Sequence, residues 1–331
     1  MATTIRSAWA GVALAAAGIA LSLPAPGAQA PGKGKWPDRP IRLMTPFAPG
    51  GSSDILARAL GPPVTEAIGQ PIIVDNRPGG GGTLGTTLTV QSAPDGHTFI
   101  MVSASYGANA ALHTMSYDPV TGITPVILVG ETGLIVTMHP KSPIRSVKDL
   151  IAYARTHPGK LNFGSASTGG LGHLSQELFQ LMTNTKITHV PYKGSGPVMN
   201  ALLAGEVESS FSGLVASMPH IKSGRLIPIG ITTPNRNPAV PDVPAISETL
   251  PGFAVTHWYG IFGPKGVPKD IVDRLNFEFG RVIRTDTIRK WLAAEGMTAA
   301  GGPPEEFAAR IKSDVAQWKR VVKEANIDIG R

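Results

Sequence analysis

The chain has 331 residues, no cysteine and a formal net charge of +7, which excludes a disulfide-stapled miniprotein and a chain too short to bury its own core. The excess of Lys and Arg favours anionic partners in a general way, yet no basic run has the density that nucleic-acid binding needs.

In chain order, the first predicted element is a leader. Arg6 precedes an uncharged run from Ser7 to Leu23, and Ala28-Gln29-Ala30 supplies a small-residue cleavage pattern. The expectation is a signal peptide over 1–30, cut after Ala30, and export to the periplasm. Pro24 and Pro26 shorten the apolar run and argue against a membrane anchor. The leader carries one of the 30 Lys and Arg and none of the 23 acids, so the remainder stands at +6. About 300 residues remain, enough for two ordinary domains.

Short β-rich runs then alternate with helical patterns. Strands are predicted at Ile41–Thr45, Ile72–Asp75, Thr98–Val102, Leu134–Met138, Leu161–Gly164, Val207–Phe211, Leu226–Ile231 and Tyr259–Phe262. Helices are predicted at Ser53–Ile68, Val147–Thr156, Gly172–Thr183, Pro197–Leu203 and Met218–Ser223. Ser146 opens one of them with a capping-box-like pattern, and Pro158-Gly159 stops it. From Pro268 to Ile327 the pattern is nearly all helical, with Trp291, Phe307, Ile311, Val315 and Trp318 as core contacts. Such alternation predicts an α/β fold of mostly parallel sheets flanked by helices. The helical tail has no sheet of its own. The expected lobes are therefore 36–138 with 252–331, and an inserted 139–251.

Three loops stand out against this pattern. PFAPGGSSD, Pro46 to Asp54, joins a strand to a helix through bare glycines, and so presents free backbone N–H groups at the positive end of a helix dipole. GSASTGG, Gly164 to Gly170, repeats that logic with Ser165, Ser167 and Thr168 as hydroxyl donors. HVPYKGSGP, His189 to Pro197, does so again, with Lys193 beside Gly194-Ser195-Gly196. Alone, such a loop is more often an ordinary turn. Together they suggest a small anion held in a cleft between two domains.

Other chemistry finds little support. GGGTLG, Gly80 to Gly85, matches a dinucleotide fingerprint literally, but Ile100 and Met101 stand where the ribose-binding acid belongs, so a permissive turn is the better reading. There is no G-x-S-x-G elbow and no H-E-x-x-H, and the eight histidines are scattered singly. No catalytic residue, metal or cofactor is expected. A secreted α/β enzyme acting on an anion, and a sensor subunit for a signalling partner, remain the alternatives to a binding protein.

The order of the motifs carries a resemblance. WPDRPIRLMTPFAPGGSSD, IGQPIIVDNRPGGGG, APDGHTF, LNFGSASTGGLGHLSQELF, HVPYKGSGP, PHIKSGRLIPIGITT and WYGIFGPKGVPK follow one another as in the Bug-type (TctC-like) solute-binding proteins of tripartite tricarboxylate transporters. The similarity runs from Trp36 to the C-terminus. It implies a monomeric two-lobed periplasmic binding protein of type II that delivers a small carboxylate to a membrane permease. It also implies ligand contacts at Phe47, Ala48, Gly50, Gly51, Ser52 and Asp54, and at Ser103, Ser105 and Asn109. In the second lobe it implies Ser165, Ser167, Thr168, Lys193, Gly194 and Ser195, with Trp258 near the interlobe region. Two departures stand out. Gly61-Pro62-Pro63 predicts a break or kink in the first helix. Ser212 stands where many relatives place aspartate, which leans away from ligands bearing an amino group.

Overall fold

Strand β1 (Ile41–Thr45) pairs in parallel with β2 (Ile72–Asn76) and β3 (Thr98–Ser103) in the computed structural model, which describes residues Trp36–Glu324. The leader and its cut after Ala30 lie outside the described residues. Helix α1 (Ser52–Ile68) makes the crossover from β1 to β2. It runs unbroken through Pro62 and Pro63, contrary to the expected break. An interior proline costs about 3 kcal/mol in a helix. Leu56, Leu60 and Val64 on the same helix are fully buried, and burying each contributes about 1.5–3 kcal/mol. The two prolines together cost about 6 kcal/mol and the three burials contribute a comparable amount, so packing offsets the local penalty.

A 3-10 turn (Gly80–Gly82) leads into α2 (Thr83–Val90), and β3 feeds α3 (Ser105–Leu112). The long strand β4 (Ile123–Met138) then links two groups of strands. Its first part, to Gly133, pairs antiparallel with β9 (Thr256–Pro264), which also pairs with β3, while β10 (Thr298–Gly301) runs beside β4. Its second part, Leu134–Met138, pairs with β7 (Ser209–Gly213) and β8 (Ile227–Ile231). On the far side of β7 lie β5 (Asn162–Ser165) and β6 (Thr188–Pro191), parallel to one another. The sheets are thus mixed: parallel in their outer strands and antiparallel where β4 and β9 cross. Leu134–Met138, read from sequence with the first lobe, is hydrogen-bonded to the second group.

Helices α4 (Val147–Thr156), α5 (Leu171–Thr183), α6 (Ser195–Ala204) and α7 (Leu214–Lys222) cover the second group. The first is covered by α8 (Lys269–Ile283), α9 (Asp286–Ala294) and α10 (Pro304–Glu324) as well as by α1 to α3. Phe307, Ile311, Val315 and Trp318 are buried as predicted, and β10 interrupts the expected all-helical tail. At the junction, the Thr232 hydroxyl accepts from the Leu134 N–H at 2.9 Å and donates to the Val255 carbonyl at 2.7 Å. Three chain segments are tied at one point.

Candidate functional site

The first lobe brings the loop after β1 to the junction. Gly50 takes a left-handed φ of +80° there. The Asp54 carboxylate accepts from the Gly50 N–H at 3.0 Å and from Arg58 Nε at 2.9 Å, which ties the loop to its own helix. Burial alone would raise the Asp54 pKa, but these bonds and one from Asn76 outweigh it and hold it below the usual carboxylate value. Asn76 Nδ2 also donates to the Phe47 carbonyl at 3.0 Å, fixing the turn from the neighbouring strand.

Four helices meet here with glycine at the N-cap: α1 on Gly51, α5 on Gly170, α6 on Gly194 and α7 on Gly213. None is capped by the side chain of its own N-cap residue, whereas α4 and α9, which lie elsewhere, are capped by Ser146 and Thr285. Two of the four are capped from the opposite lobe. Ser105 Oγ accepts the Leu171 N–H at the start of α5, and Ser52 Oγ accepts the Ala216 N–H in the first turn of α7, both at 3.2 Å. The starts of α1 and α6 face each other across the remaining space: a Cβ on Gly51 would lie 3.6 Å from the Ser195 nitrogen and 3.7 Å from that of Gly196.

Between these helix starts lies a chamber of about 40 Å³. Among the described residues, no Lys or Arg lines it, and Asp54 is the one acid that does. The lobes touch around it. The Ala48 N–H donates to the Lys193 carbonyl at 3.1 Å, and a Cβ on Gly196 would stand 2.3 Å from the Pro49 carbonyl oxygen. Closure at this distance requires glycine. Outside the chamber, and sharing Phe47 and Ala166 with it, runs a wider groove of about 700 Å³.

The residues predicted from sequence divide between these spaces. Phe47, Gly51, Ser52, Asp54, Ser103, Ser105, Ser195 and Ser212 line the chamber. Ser167, Thr168 and Lys193 line the outer groove instead. Ala48, Gly50 and Gly194 shape the closing loops through their backbones. Asn109 is turned to the glycine-rich turn, donating to the Gly81 carbonyl at 2.5 Å.

Two predicted contacts face elsewhere. Ser165 Oγ donates to the Ser167 carbonyl at 2.9 Å and meets His189 Nε2 at 2.6 Å, and it is Ala166 that lines the chamber. His189 stacks on His173 with ring centroids 3.7 Å apart. Burial, and then the neighbouring His173, drive the His189 pKa down to about 4. Trp258 is fully buried on the other face of β9, where its Nε1 donates to Asp314 at 2.5 Å and its ring packs on Phe307.

Strand alternation gives the positions beside Trp258 to the chamber, namely His257 and Tyr259. That period-2 alternation is the signal in the WYG segment that points to them. Gly80–Gly82 of GGGTLG form a turn, as expected, while Thr83-Leu84-Gly85 open α2, and Gly80 to Thr83 border the outer groove.

The family model described as tripartite tricarboxylate transporter family receptor, TctC, matches residues 56–327. The chain belongs to this family. As a TctC receptor it is 34% identical to protein BugT of Bordetella pertussis over 318 residues, 95% of each chain. Its fold matches that of Rpa4515 from R. palustris, solved with adipate, at a TM-score of 0.85 and 36% identity, covering 88% of this chain and 99% of that one. It matches MatC of Rhodopseudomonas palustris, solved with bound malate, at 0.83 and 32%, covering 87% and 100%. The TctC neighbours are two-lobed periplasmic binding proteins, and this chain shares that α/β architecture and belongs among these solute-binding receptors.

Proposed function

We propose that this receptor holds a small organic carboxylate in the chamber, in the periplasm, and hands it to the membrane permease of a tripartite transporter. The observation that carries the reading is the opposed pair of uncapped helix starts, α1 and α6, in a buried chamber with no Lys or Arg among its lining residues. Neutral N–H and O–H donors there would take the charge of a carboxylate without a salt bridge. The adipate and malate of the two neighbours support the ligand class. Ser212, in place of an acid, leaves no carboxylate free to pair a ligand ammonium, since Asp54 is already engaged.

The lobes are proposed to close as two bodies hinged where β4 changes partners at Gly133 and Leu134 and where Thr232 meets Val255. The exported protein is proposed to start at Pro31. Native purification followed by mass spectrometry of the released ligand, then calorimetry over a panel of organic acids, tests the reading. Saturable binding of an organic acid without conversion is expected, stabilising the fold by about 2.7 kcal/mol at a hundredfold excess over Kd. Tight binding of a sugar or a cation, with every carboxylate silent, overturns it.

A further inference from the structure

The floor of the chamber carries a polar pair that the anchoring of one carboxylate leaves unused. His257 and Tyr259 stand on the same face of β9 and both line the chamber. His257 Nε2 and the Tyr259 hydroxyl hydrogen-bond each other at 2.8 Å. His257 is only 5% exposed, and its Nδ1 is buried without a partner.

Counting protons shows what is left over. A neutral imidazole carries one N–H and a phenol one O–H, and the bond between them uses one of the two whichever tautomer is present. One donor therefore remains. Ser52 lines the same chamber and accepts the Ala216 N–H, and the count for the pair itself stays at one. Burial holds His257 neutral, with its pKa down to about 3, and pushes the Tyr259 phenol up. The floor is thus uncharged, buried and one acceptor short. A buried donor without an acceptor is costly, so a ligand that supplies one is favoured over a ligand that does not.

We propose that His257 and Tyr259 are specificity-determining residues that read a second oxygen on the bound acid. The receptor then selects acids carrying a hydroxyl, keto or second carboxylate oxygen over plain monocarboxylates of the same length. This rests on the carboxylate reading of the chamber. The pair does not anchor the first carboxylate, which faces the starts of α1 and α6; it reads the other end.

The test is calorimetry on the exported protein with two matched pairs, succinate against butyrate and adipate against hexanoate, and with malate. In at least one pair the diacid is expected to bind about ten- to a hundredfold tighter. The double variant His257→Leu/Tyr259→Phe removes every polar side-chain atom of the pair at similar volume. There the ratio should fall to within about threefold, through loss of diacid affinity and not gain of monoacid affinity. Nitrogen-15 histidine spectra of the parent protein supply a readout that does not depend on the variant folding. The His257 ring nitrogens should shift on saturation with the tighter acid and not with its monoacid partner. Equal affinities within both pairs, an unchanged ratio in the double variant, or silent His257 resonances on diacid binding overturn the proposal while the carboxylate reading stands. Failure of the parent to bind any of these acids or any other organic acid removes the carboxylate reading, and this inference falls with it.

Discussion

Two kinds of helix start coexist in this fold. Helices α4 and α9 are closed by their own residues, Ser146 accepting the Asp149 N–H and Thr285 the Ile288 N–H. Helices α1, α5, α6 and α7 begin on glycine and leave their first-turn donors to partners from elsewhere. A cap made within one segment contributes to the stability of that segment whether the lobes are open or closed. A cap made across the lobes, as Ser105 makes for α5 and Ser52 for α7, contributes only when they close. The same hydrogen bond is thus a folding interaction in one place and a closure interaction in the other. The opposed starts of α1 and α6 receive neither, and it is to these that the proposed carboxylate is assigned.

The sharpest way to break this comparison is to prevent the approach itself. Gly196→Ala places a Cβ where the Pro49 carbonyl oxygen stands 2.3 Å away, backbone against side chain, with nothing flexible to yield. Overpacking of this kind costs about 1–3 kcal/mol, so affinity should drop roughly ten- to a hundredfold. The open lobes carry no such clash, and the melt without ligand should stay near the parent. Small-angle scattering should show a smaller contraction on ligand addition. Parent-like affinity would mean that the contact between 49–51 and 195–196 is dispensable.

Acid comes next, and it acts through two histidines, one of which, His257, lines the chamber. His189 and His257 have pKa values held near 4 and 3, below the roughly 6.5 of an unfolded histidine. Below pH 6.5 the unfolded chain takes up protons that these two sites refuse, so stability falls progressively from there towards pH 4. Depressed Asp54 continues the loss at still lower pH, as its carboxylate is protonated in the fold. His189→Gln should flatten the slope of melting temperature against pH in this window. An unchanged slope would show that the His173–His189 stack does not govern the acid limb.

The loops are legible in the sequence because glycine and serine between an apolar strand and an apolar-periodic helix have few other uses. β1, β2, β3, α4 and α5 were legible for the same local reason. What stayed hidden depends on faces and partners. The first part of β4, Ile123–Gly133, is absent from the predicted strands; Val126–Val129 is an apolar run, but Gly130, Glu131 and Gly133 break the pattern, and pairing with β9 and β10 carries the strand through them. Helix α3, SYGANAAL, has too few large apolar residues for a periodic signal, and it packs against α10 through its small side chains. Composition placed Ser165 among the ligand contacts. Its orientation towards His189, with Ala166 at the chamber, follows from the pairing of β5, which no local pattern encodes.

Cross-lobe capping can be separated from local capping by two alanines. Ser105→Ala removes the acceptor of the Leu171 N–H and should weaken ligand binding by about three- to tenfold, one net hydrogen bond of about 1 kcal/mol, with the ligand-free melt unchanged. Ser146→Ala should do the reverse. Losing a local N-cap costs about 1 kcal/mol, so the melt should drop by roughly 2–4 °C with Kd unaltered. Both variants acting on both quantities would dissolve the distinction.

The smallest effect comes from giving α1 the cap it lacks. Gly51 has φ −80° and ψ 162°, the extended geometry of an N-cap, and a Cβ there meets only ordinary contacts at 3.5 Å or more. Serine therefore fits without strain, and its hydroxyl can bond the N–H two or three residues on. Relative to glycine such a cap contributes only a few tenths of a kcal/mol, so the melt should rise by a degree or less. The donors it occupies are those assigned to the proposed carboxylate, and on that reading a ligand must displace the hydroxyl before it can use them. Affinity should therefore fall by about two- to fivefold, the equivalent of roughly 0.4–1 kcal/mol. A protein slightly more stable and slightly worse at binding is the expected Gly51→Ser variant, read by a melt without ligand and by calorimetry with the tightest acid. If the variant gains stability and keeps its full affinity, the N–H groups at the start of α1 are not what holds the anion, and the opposed α6 start must do so alone.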